Sequence, residues 1–125
     1  MRLRELLLGL SMIVGVAPAT AGSADVIAVK ITPTGLELYR FDVTVRHADT
    51  GWDHYADKWE VISPEGQVLA TRTLLHPHVA EQPFTRSLSR VRVPNSMSHV
   101  VVRAHDNVDG YGNGSKRVTI SDAAE

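Results

Sequence analysis

Leu36-Glu37-Leu38-Tyr39-Arg40-Phe41-Asp42-Val43-Thr44-Val45-Arg46-His47 alternates in character residue by residue. Tyr39, Phe41, Val43 and Val45 share one parity, and Arg40, Asp42, Thr44 and Arg46 the other, which is the period of a strand with one buried and one wet face. His47 keeps the buried parity one step past the last valine. The strand is therefore expected to end by delivering an imidazole to the rim of a core.

Further strands are expected on either side. Asp25 to Ile31 is rich in β-branched residues, and Thr32-Pro33-Thr34-Gly35 is expected to turn the chain. Ala48 to Asp53 is turn chemistry, and from Tyr55 the alternation resumes with Tyr55, Asp57, Trp59 and Val61, which makes Trp59 the expected central core aromatic. Ser63-Pro64-Glu65-Gly66 predicts a hairpin into a return strand over Gln67 to Leu75, which His76-Pro77-His78 ends because proline has no amide for the ladder. Phe84 to Val93 is a strand whose parity slips between Leu88 and Val91, the mark of a bulge. Ser98 to Asp106 is a buried strand, Asn107 to Gly114 a glycine-rich loop, and Ser115 to Ser121 the last strand.

The first 21 residues stand apart. Met1-Arg2-Leu3-Arg4 is basic, Leu6 to Ala17 is apolar, and Ala19-Thr20-Ala21 has the small-x-small form of a cleavage site, so residues 1–21 read as a secretory signal peptide. The apolar run is too short for a span of roughly 20 residues. Residues 22–125 then form a single domain behind a polar linker at Gly22 to Ala24, periplasmic or secreted, with no membrane attachment expected after leader cleavage. A lipid anchor would require a cysteine, and the chain has none, which also removes thiolate chemistry. With 13 basic and 14 acidic residues spread evenly, a nucleic-acid partner is not expected.

No helix signal follows the leader, and seven strands separated by regular turn signals are the pattern of an all-β, seven-stranded antiparallel immunoglobulin-like sandwich. With Trp59 in the third strand, the chain resembles immunoglobulin-like and fibronectin type III-like domains, and small secreted proteobacterial proteins that carry such a domain behind a leader. The resemblance implies a scaffold and says nothing about activity.

Strands that reverse in succession gather five of the six histidines, His47, His54, His76, His78 and His105, at one pole, with His99 at the other. Asp49, Asp53, Asp106, Asp109, Tyr55 and Tyr111 belong to the same loops. Imidazoles beside carboxylates suit zinc, copper(II) or nickel, and the expected ligand set is His47, His54, His76, His78, His105 and Asp106, with His76 and His78 as a chelating pair across Pro77. A type 1 copper centre needs a cysteine, and a terminal histidine brace needs a histidine where the expected mature chain has Gly22. The His105-x-Asn107-x-Asp109-Gly110 run only half matches a calcium loop, with Lys116 in place of its bidentate glutamate. No Gly-x-Ser-x-Gly elbow occurs. The sequence thus reads as a non-enzymatic binding domain in one of two versions: a site for zinc or copper, or a module for a protein or glycan partner anchored by Trp52, Tyr55, Phe84 and Tyr111. It leaves the oligomeric state open.

Overall fold

The computed structural model describes residues 23–120; the leader expected at 1–21 and the tail at 122–125 lie outside that span. The described chain is an antiparallel β-sandwich of eight strands: β1 (Asp25–Gly35), β2 (Leu38–Arg46), β3 (Ala56–Ile62), β4 (Val68–Thr73), β5 (Phe84–Arg92), β6 (His99–Asp106), β7 (Gly110–Tyr111) and β8 (Lys116–Thr119). One sheet has the order β1-β2-β5, and the other the order β4-β3-β6, with β7 and β8 both pairing β6. The chain therefore crosses between sheets after β2 and again on each side of β5.

The expected count of seven strands is corrected to eight, because Gly110–Tyr111 within the glycine-rich loop pairs with Asp106 and His105. The first strand also runs further than expected. Thr32 and Pro33 stay in register with Arg40 and Tyr39, and the turn falls at Leu36 and Glu37. Proline is tolerated there because β1 is an edge strand, where a missing amide costs no ladder bond. Glu37 takes a left-handed φ of 58° and is held by the Asn95 amide, which donates to its Oε2 at 2.7 Å, and by Arg92 at 3.0 Å.

The alternation of β2 is carried into the core without change: Phe41, Val43 and Val45 are fully buried, as is Trp59 on β3. They pack with Val61, Phe84, Val91, Val93, Val100, Val102 and Ala104. The bulge lies where the sequence put it. Tyr39 pairs with Val91 and Phe41 with Leu88, so three residues of β5 advance against two of β2, and Arg90 absorbs the extra step at φ 62°. The expected linker at Gly22 to Ala24 is corrected at its end, since Ala24 is a core residue. A Cβ on Gly112 would stand 1.9 Å from the Ala24 carbonyl oxygen, so only glycine lets the loop after β7 close over the start of β1.

Candidate metal centre

The registers gather several strand ends at one pole. Arg46 at the end of β2 faces Asp25, Val45 faces Phe84 at the start of β5, and Ala56 at the start of β3 faces Asp106 at the end of β6. Two inward columns of side chains finish there. The column Phe41, Val43, Val45 of the first sheet continues one step into His47, and the column Val100, Val102, Ala104 of the second ends in Asp106. Both terminal groups are buried, and His47 Nε2 lies 3.1 Å from Asp106 Oδ2.

Each is held from behind. Asp49, two residues after His47, places Oδ1 at 2.5 Å from His47 Nδ1. The same carboxylate accepts the Ala56 amide at 2.9 Å and the His78 amide at 2.7 Å, so its own position is tied to β3 and to the connection between β4 and β5. The His47 amide donates to Gln82 Oε1 at 3.0 Å, and Gln82 Nε2 donates to the His78 carbonyl at 2.9 Å. Asp106 Oδ1 accepts the amides of Val108 at 2.8 Å and Asp109 at 2.5 Å, a turn built on the aspartate itself. Burial alone would raise the Asp106 pKa, but those two amides and the imidazoles of His47 and His54 outweigh it and hold the carboxyl below the usual carboxylate range.

His54 completes the group from a tight turn in which its amide donates to the Gly51 carbonyl and its carbonyl accepts the Thr50 amide. Asn107 fastens this turn to the end of β6, accepting the Tyr55 amide and donating to the carbonyls of Trp52 and Asp53. His54 Nε2 stands 3.4 Å from Asp106 Oδ1 and 3.1 Å from Asp109 Oδ2, and its ring meets that of His47 edge-on at 4.9 Å. Ligand atoms of His47, His54 and Asp106 all lie within 4.8 Å of one another, the one such group of three among the described residues.

The other three expected ligands do not converge on it. His105 precedes Asp106 on the same strand and so must face the opposite way, where it pairs with Asp57 at 2.6 Å and meets the Tyr111 ring edge-on. The rings of His76 and His78 are neighbours at 4.6 Å, as expected across Pro77, yet His78 Nε2 receives the Arg86 guanidinium at 2.8 Å. Guanidinium only donates, so this nitrogen is occupied as an acceptor. The His78 ring is buried flat against Phe84 at 3.9 Å, while His76 is exposed with Nδ1 on the Pro77 carbonyl at 3.0 Å. Among the expected aromatic anchors, Phe84 is a core residue, Tyr111 lies on the outer sheet face beneath Arg103 at 3.8 Å, and Trp52 is exposed beside Tyr55 at the pole. Asp49 and Asp109, which the sequence places in these loops without a role, stand next to the ligand atoms. Their only sequence signals are the spacings His47-x-Asp49 and Asp106-x-x-Asp109.

His78 predicts an acid sensitivity. Burial, reinforced by the charge of Arg86 and by His76, pushes its pKa below the ordinary 6.5. The unfolded chain therefore takes up this proton more readily than the folded one, so the contribution to stability is whole above about pH 6.5 and is lost as pH falls through the lower folded value. Melting temperatures between pH 7.5 and 5.0 are expected to fall further in the wild type than in His78→Gln. Equal falls would show that another group governs the response.

No family model matches the chain, and no solved structure matches it. A stretch of 89 residues, 71% of the chain, is 44% identical to a protein of Halomicrobium mukohataei described as "Putative lipoprotein". The match covers 43% of that relative, so the chain spans less than half of its length.

Proposed function

We propose that this chain is an exported, non-enzymatic domain that binds a divalent transition metal ion between His47, His54 and Asp106, with zinc as the first candidate. The observation that carries the reading is the spacing of the donor atoms. Four atoms bonded tetrahedrally to one zinc ion at about 2.0–2.1 Å stand about 3.3–3.4 Å apart. His47 Nε2 lies 3.1 Å from Asp106 Oδ2 and His54 Nε2 3.4 Å from Asp106 Oδ1, so the two oxygens of one carboxylate each face an imidazole at about that separation, and one donor atom from each of the three residues lies within 4.8 Å of the others. The support behind His47 has the same sense, because a carboxylate on Nδ1 orients the ring and sets Nε2 against Asp106. Two imidazoles and a carboxylate, with no sulfur, suit zinc, copper(II) and nickel. The leader pattern and the similarity to a protein described as a lipoprotein support export.

Thermal melting at pH 7.5 tests this. An ion present at about a hundred times its Kd adds about 2.7 kcal/mol to the folded state, worth about 10 °C or more in a domain of this size. That rise is expected with zinc and is reversed by a chelator. Unchanged melting with zinc, copper(II) and nickel would end the proposal.

A second reading rests on Trp52, which is 64% exposed and packed edge-on against Tyr55 beside the same pole, with Val108 also exposed. These are the residue types of a contact surface for a protein or glycan partner, and that reading needs no ion.

A further inference from the structure

Building on the metal-binding reading, we propose that Asp109 is the fourth ligand of the centre and the one that opens, so that the site holds its ion for exchange with an outside acceptor. The centre is unequal in burial. The side chains of His47 and Asp106 are 0% exposed, that of His54 is 27% exposed and that of Asp109 49%. The inner pair is fixed on its far side by Asp49 and by the amides of Val108 and Asp109. On the outer side, the carboxylate of Asp109 contacts His54 Nε2 at 3.1 Å and no other side chain among the described residues.

The backbone of Asp109 is nonetheless placed. Its amide sits 2.5 Å from Asp106 Oδ1, so the turn that orients one ligand carries the next residue's carboxylate to the open side of the group. With three protein donors the coordination shell keeps an open position, whereas a fourth closes it. Asp109 reaches His54 Nε2 at 3.1 Å but lies outside the group of donor atoms within 4.8 Å of one another, so it would set the state of the centre by moving: swung in, it encloses the ion with two nitrogens and two oxygens; left out, an incoming donor takes its position. Exchange on this route swaps one oxygen ligand for another donor, with no redox change and no bond broken in the protein. The acceptor is a small chelator or a protein that presents nitrogen or oxygen donors. Its access is from the side of His54 and Asp109, since the side of His47 is closed by the core.

The test uses zinc itself and a chromophoric chelator as acceptor. Zinc affinity and the rate of transfer to the chelator are measured for the wild type, Asp109→Ala and Asp109→Asn at pH 7.5. Asp109→Ala is expected to weaken zinc binding at least tenfold and to speed transfer by a similar factor. The melting temperature of the zinc-free protein should stay within a few degrees, because among the described residues this half-exposed side chain meets only His54. Asp109→Asn, which keeps the shape without the charge, should fall between the two. Wild-type zinc binding with the same affinity and transfer rate in Asp109→Ala would overturn this proposal and leave the three-residue centre standing. Failure of the wild type to bind zinc would overturn both.

Discussion

His47→Ala is expected to cost about 3–5 kcal/mol of stability and to abolish the zinc-dependent rise in melting temperature. The ring fills a fully enclosed place between two carboxylates, Asp49 and Asp106, which are themselves buried. Removing the ring leaves two buried carboxylates without the partner that faces them, and losses of that kind are of the order of 3–5 kcal/mol. The amide bonds that Asp49 and Asp106 accept would remain, but none of them replaces the imidazole. Urea unfolding at pH 7.5 measures the stability, with an unchanged m-value marking a change in free energy alone. His54→Ala is the companion variant, since its partly exposed ring can be removed without opening the core. It should lose the zinc response while unfolding near the wild-type midpoint. A His47→Ala protein as stable as the wild type would show that the two carboxylates are relieved by water, contrary to their burial.

Trp59→Ala is expected to be as damaging, about 3–5 kcal/mol, for a different reason. The indole projects from β3 and is fully buried in the core, and its removal leaves a cavity that surrounding valines cannot collapse into. Trp59→Phe should cost far less. The indole Nε1 has no hydrogen-bond partner among the described residues, so phenylalanine retains much of the packing and strands no acceptor. Denaturant midpoints for the two variants check the contrast. Similar losses in both would mean that the nitrogen makes a bond after all, through a buried water.

The sandwich was legible in the sequence because strand parity is a local property. Tyr39 to Val45 declare their buried face by alternation alone, and the slip between Leu88 and Val91 announces its bulge for the same reason. Where a local signal misled, a neighbour had overridden it. Thr32-Pro33-Thr34-Gly35 is turn chemistry, but Arg40 and Tyr39 offer ladder positions to an edge strand that can spare an amide. The pair Gly110–Tyr111 was invisible because two residues have no period.

The candidate centre divides along the same line. Its inner half follows from sequence: the parity that buries Val43 and Val45 also buries His47, and the parity that buries Val102 and Ala104 also buries Asp106. That parity already excludes His105 once Asp106 faces inward, since adjacent residues of a strand point to opposite sides. Only the tertiary structure decided that these two columns end opposite each other at 3.1 Å, that Arg86 donates to Nε2 of His78, and that Asp49 and Asp109 stand behind and before the ligand atoms. Periodicity specifies which way a side chain points. The distance between two side chains more than fifty residues apart is set by how the sheets pack, and no local pattern encodes it.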